Sequence, residues 1–172
     1  IDKFAEFMRN YIKQNLAQLS KKSPNICSLL QNVIPGSQYI VSPSKSGFKT
    51  LSIKGLGGSG RTLHSKYDPI KEAIRFIGGY LSNGSSNYIL SGLGLGYHLQ
   101  ELIKKTSPNS KIIVIEKNPS IAHLAFTHNN FSPVISHPGV SFHIGIDPRN
   151  LEHILYGERT NLAIHGYTII DF

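Results

Sequence analysis

The chain holds one cysteine, one methionine and no tryptophan in 172 residues. A lone cysteine, Cys27, cannot close an internal disulfide and leaves no cysteine pair for zinc, so a reducing, cytoplasmic compartment is expected. No apolar run reaches the roughly 18 residues of a membrane span. The opening Ile1-Asp2-Lys3-Phe4-Ala5-Glu6 lacks the basic-then-apolar order of a signal peptide, so no membrane partner is expected. Acidic side chains are scarce too: 10 Asp and Glu stand against 18 Lys and Arg, giving a formal charge of +8 and a pI near 9.6. That balance favours acidic partners such as nucleotides, sugar phosphates or an acidic protein. The basic residues come in twos (Lys21-Lys22, Lys104-Lys105), with no arginine-rich stripe and no interleaved aromatics, which argues against nucleic acid. The histidines form no helical i, i+4 pair with a carboxylate between them, so no metal site is expected.

Against these absences stand clear periodicities. Phe4, Phe7, Met8, Tyr11, Ile12, Leu16 and Leu19 recur at three- and four-residue steps and predict an amphipathic helix over 4–19. A second short helix is expected over Ile26 to Val33, after Ser23-Pro24 and before Pro35-Gly36. Tyr39 to Val41, Phe48 to Lys54 and Thr62 to His64 read as three short strands of a β-meander. From residue 67 onward helices and strands alternate. Asp68-Pro69 opens a helix that ends at Gly78-Gly79, and strands are expected at Tyr88 to Ser91, Lys111 to Glu116, Val140 to Ile146 and Asn161 to His165. Helices at Tyr97 to Lys105, Ser120 to His128 and Arg149 to Leu155 separate them. This alternation predicts an α/β fold with a Rossmann-like, methyltransferase-like parallel sheet over 67–172, preceded by a helical arm and small β-meander over 1–66. About four strands is short for a doubly wound fold, so the chain is expected to be part of a longer polypeptide.

The run Ser91-Gly92-Leu93-Gly94-Leu95-Gly96-Tyr97-His98 is a strand end entering a glycine turn that opens a helix. In such a turn Gly92 takes backbone angles closed to other residues, Gly94 admits a ligand to the main chain, and Gly96 allows close helix packing. Glu116 ends the next strand twenty residues later, where a carboxylate accepts hydrogen bonds from ribose hydroxyls. Tyr97 stands where the dinucleotide fingerprint has its third glycine, which weakens the case for NAD. The shorter G-x-G-x-G form resembles the first motif of S-adenosylmethionine-dependent methyltransferases, and Gly145-Ile146-Asp147 resembles their adenine-side acidic motif. The expected cofactor-binding residues are therefore Gly92, Gly94, Gly96, Glu116 and Asp147. The alternative is that the glycines serve helix packing alone. Ala163-Ile164-His165-Gly166-Tyr167, at the end of the last expected strand, lacks the Asn/Asp-Pro-Pro-Tyr signature of a methyltransferase centre. The P-loop-like stretch from Gly55 to Thr62 has arginine in place of lysine and no helix after it, so it reads as a hairpin turn.

Leu63-His64-Ser65-Lys66-Tyr67-Asp68-Pro69 is the densest chemistry in the chain. Asp68 caps the following helix, while His64 and Lys66, two apart on an extended segment, face one side and could meet a phosphate or carboxylate. The phrases LHSKYDPIKEA, GLGLGYHLQEL and IIVIEKNP, in this order, resemble the N-terminal domain of the motility-associated factor (Maf) glycosyltransferases over about residues 39 to 125. That resemblance implies a parent protein that transfers a nonulosonic acid, of the pseudaminic or legionaminic type, from its CMP-activated form to Ser or Thr of flagellin. It also implies that the reaction centre lies in a central sialyltransferase-like domain beyond this one. The expected contacts to substrate or phosphate are His64, Lys66, Tyr67 and His98, and the expected ligand is a nucleoside, either a CMP-sugar or S-adenosylmethionine. Three readings stay open at this point: an accessory domain of such a transferase, a methyltransferase-like enzyme, or an interaction module whose basic surface and 4–19 helix dock flagellin.

Overall fold

The computed structural model describes residues 10–55, 60–81, 86–147, 151–157 and 159–172. Two helices open it, α1 (Ile12–Lys22) and α2 (Pro24–Gln31), with Pro24 at the first helical position of α2. The part of the expected first helix before residue 10 lies outside the described residues. An antiparallel sheet follows, of β1 (Tyr39–Pro43), β2 (Lys49–Lys54) and β3 (Gly60–Thr62), in that order, with Val41 opposite Leu51 and Ser52 opposite Thr62. The third strand closes at Thr62, so His64 follows the meander and is no part of it.

The second half alternates α3 (Pro69–Gly78), β4 (Asn87–Ser91), α4 (Tyr97–Lys105), β5 (Lys111–Glu116), α5 (Pro119–His128), α6 (Ser132–Ser136), β6 (Val140–Ile144), α7 (Leu151–Tyr156), α8 (Arg159–His165) and β7 (Thr168–Asp171). The four strands pair in parallel in the order β6-β5-β4-β7, which makes β4 the strand where the winding reverses. The chain is thus a mixed α/β protein with a Rossmann-like parallel sheet and a small antiparallel sheet.

The last strand also departs from the periodicity reading. The segment expected as a strand at Asn161 to His165 is helix α8, and the strand beside β4 is Thr168–Asp171. Gly166, at φ +66°, is the left-handed residue that commonly ends a helix, and the Asn87 side chain binds its carbonyl at 2.8 Å. Beyond it Thr168 and Ile170 turn inward while Ile169 and Asp171 face out, the two-residue period of a strand covered on one side.

The central strands β4 and β5 are buried along most of their length, as strands covered on both faces must be. Their period of two divides the core. Tyr88, Leu90, Ile112 and Val114 join Leu99, Leu102, Ala122, Phe126 and Phe131 in the main cluster, while Ile89, Ile113 and Ile115 meet Ile154 and Leu155 of α7 on the other face. Leu19, Cys27 and Leu30 of the two opening helices belong to the main cluster, so the arm shares the core of the parallel sheet. Asn15 ties it down further: its amide donates to the carbonyls of Phe126 (2.7 Å) and Asn129 (2.8 Å) and its carbonyl accepts from the Phe131 N–H (2.9 Å). Leu51 of the meander packs with Ala73, Leu95, Tyr97 and Ile121 in a second cluster.

Candidate functional site

The turn after β4 takes the conformation its glycines were expected to permit. Gly92, Gly94 and Gly96 have φ of +90°, +53° and +86°, all in the left-handed region, and Gly96 is the residue before α4. What fills the space above the glycines is the chain itself. A methyl group on Gly92 would collide with the Phe172 carbonyl, one on Gly96 with the Phe131 ring, and one on Gly94 would stand 2.6 Å from both His64 Nε2 and Phe172 Cε1.

The amides of the turn are likewise engaged by side chains. Leu93 N–H donates to Glu116 Oε2 at 2.9 Å, and Asn118 N–H donates to Oε1 at 2.8 Å. Leu95 N–H donates to His64 Nε2 at 2.7 Å. Glu116 is thus a buried ligand of the turn's main chain. Burial pushes its carboxyl above the usual range, while the amides of Leu93, Asn118 and Gly94 pull it back. Asp147 lies past the end of β6 and pairs with Lys117 at 3.0 Å. Tyr97, which replaces the third glycine of a dinucleotide turn, has a structural reason to be there: its hydroxyl donates to the Lys49 carbonyl at 2.9 Å and joins the turn to the meander.

His98 is fully buried among Phe76, Phe172 and His64, with ring centroids 4.9, 3.9 and 5.8 Å away, and neither ring nitrogen has a hydrogen-bond partner among the described residues. Burial depresses its pKa to about 4. His64 is held down to about 3, by burial first and by His98 second. Both are neutral at pH 7, and because His64 Nε2 accepts from Leu95, its proton sits on Nδ1.

His64 forms a wall between this filled turn and an open cleft. The cleft, about 670 Å³, runs between the segment 62–68 and one face of α3, lined by His64, Lys66, Tyr67, Lys71, Glu72 and Arg75 among others. Local structure sets it up. Lys45 and Ser46 N–H donate to the Lys66 and Tyr67 carbonyls (2.9 and 2.8 Å), which fixes the segment against the meander, and Asp68 caps α3 by accepting from Ile70 and Lys71 N–H (3.1 and 3.0 Å). Of the residues expected to contact a substrate, His64, Lys66 and Tyr67 meet in this cleft, whereas His98 lies behind His64 and does not line it. Lys71, Glu72 and Arg75 escaped the sequence reading. The available signal was their spacing on α3, where residues three and four apart share a face just beyond the heptapeptide. Among the described residues no group of His, Cys, Asp and Glu side chains could hold a metal ion, and no helix is long and apolar enough to cross a membrane.

No family model matches the sequence. An uncharacterized protein of Treponema pallidum (strain Nichols) is 28% identical over 138 residues, covering 74% of this chain and 44% of the relative. The structure of the MAf glycosyltransferase from Magnetospirillum magneticum AMB-1 superposes with a TM-score of 0.62 at 14% identity, over 94% of this chain and 32% of that one. At that identity the likeness is one of fold, and the fold is Maf-like. MnmC2 from Aquifex aeolicus gives a TM-score of 0.41 at 17% identity, over 83% of this chain and 58% of that one. The chain spans less than two thirds of each of these proteins.

Proposed function

We propose that this chain is the N-terminal, accessory domain of a Maf-type glycosyltransferase. The parent protein transfers a nonulosonic acid from its CMP-activated form to Ser or Thr of flagellin in the cytoplasm, with the reaction centre beyond the residues given. The observation that carries the reading is the superposition of 94% of this chain on only 32% of a Maf glycosyltransferase, supported by the ordered phrases between residues 39 and 125. The accessory role is supported by the turn itself, whose Leu93 and Leu95 amides already bond Glu116 and His64. The lone, buried Cys27 fits a reducing compartment.

The test uses the full-length protein with a CMP-activated nonulosonic acid and purified flagellin, read by intact mass. Flagellin gaining the mass of one or more sugar residues is expected, and an unchanged mass refutes the parental activity. For the domain, calorimetry with S-adenosylmethionine is expected to show no binding. Micromolar binding that Glu116→Ala abolishes would instead establish a methyltransferase-like site.

A further inference from the structure

The cleft beside α3 differs from the glycine turn in the state of its polar groups. Lys66, Lys71 and Arg75 line it, are exposed, and form no ion pair among the described residues. Lys71 and Arg75 stand four apart on one helical face. Of the two carboxylates nearby, Asp68 is occupied with the helix cap, and Glu72 Oε2 accepts from Ser65 N–H at 2.9 Å. Three cationic residues therefore line a concavity within the usual range for small-ligand sites, about 300–1,000 Å³.

At the inner wall stands an unfinished hydrogen bond. His64, 2% exposed, has its Nδ1–H without a hydrogen-bond partner among the described residues, 3.9 Å from Glu72 Oε2. That distance is too long for a direct bond. It is short enough for one hydroxyl oxygen to stand about 2.8 Å from both atoms, accepting from His64 and donating to Glu72. The Glu72 side chain keeps 28% of its exposure, which gives it the freedom to admit such a group.

We propose that the cleft between residues 62–68 and α3 binds a phosphate ester of a polyol, such as a sugar phosphate. Lys66, Lys71 and Arg75 neutralise the phosphate, and a hydroxyl of the ester bridges His64 Nδ1 and Glu72. This binding goes beyond the transfer reaction proposed above and does not depend on it, since its readout is ligand affinity of the domain and not sugar transfer to flagellin.

The experiment is titration of this chain with ribose 5-phosphate, inorganic phosphate and ribose, followed by calorimetry and by the imidazole nitrogen resonances of His64. Ribose 5-phosphate is expected to bind with Kd below about 1 mM, at least tenfold tighter than inorganic phosphate, and to shift the His64 Nδ1 signal. The triple variant Lys66→Gln, Lys71→Gln, Arg75→Gln is expected to lose both phosphate ligands. Glu72→Ala, which removes the acceptor of that hydroxyl at a partly exposed position, should narrow the preference for the ester over inorganic phosphate at least tenfold. Absence of binding by the ester, equal affinity for ester and inorganic phosphate, or ester binding that survives the triple substitution would each overturn the proposal.

Discussion

Acid should destabilise this domain well above the pH at which its carboxylates titrate, because His64 and His98 are buried as neutral rings. Unfolded, each histidine protonates near its ordinary pKa of about 6.5, whereas folded they resist to about 3 and about 4. Above pH 6.5 both states are neutral and nothing is lost. As pH falls below 6.5 the unfolded chain binds protons that the folded chain refuses, and stability drops by about 1.4 kcal/mol per pH unit per histidine until the folded pKa is reached. Between pH 7 and 5 this amounts to roughly 2 kcal/mol for each ring and about 4 kcal/mol for the two, a large share of a typical total of about 5–15 kcal/mol. His128, also held down to about 4, is partly exposed, so solvent screening reduces what it adds. Urea unfolding followed across this range should give a slope corresponding to about two protons. His98→Phe keeps the ring contacts with Phe76 and Phe172 and should remove one of the two. It should also raise stability at pH 7 by about 1 kcal/mol, since two unpartnered ring nitrogens leave the core and the larger ring offsets part of the gain. A stability constant from pH 7 to 5, or a slope untouched by His98→Phe, would refute the argument.

Three further outcomes follow from particular contacts. Gly94→Ala should destabilise by about 2–4 kcal/mol in urea unfolding, because the left-handed backbone is strained by a side chain and the added methyl meets the His64 and Phe172 rings at 2.6 Å. Asn15→Ala should cost at least about 3 kcal/mol and speed hydrogen exchange at the Phe131 amide, because three main-chain groups around the arm lose their partner. Asp68→Ala should cost about 1 kcal/mol by thermal unfolding as the α3 cap is lost, with a shift in any cleft ligand's affinity since the cap holds the end of the 62–68 segment.

Much of the architecture was legible where local chemistry decides it. Asp68-Pro69 announced a capped helix, the alternation of helices and strands from residue 67 announced a parallel sheet, and the three glycines announced a left-handed turn. The last strand was misplaced because Asn161 to His165 and Thr168 to Asp171 are both short and apolar, and only pairing of Tyr88 with Thr168 distinguishes them. The same displacement bears on the missing methyltransferase signature, since the end of the strand beside β4 falls on Asp171-Phe172 and not on the segment around Gly166.

The residues by themselves determined the parallel α/β class, the glycine turn and the heptapeptide as the place where polar chemistry gathers, because caps, periods and positive-φ positions are properties of short windows. Only the tertiary structure decided what those features face. Glu116 and Leu93 are twenty-three residues apart, His64 and Leu95 thirty-one, and Phe172 reaches the turn from the far end of the chain. Their meeting turns the cradle inward and leaves the open, cationic cleft on the other side of His64, since burial and long-range packing decide which of the two surfaces stays open.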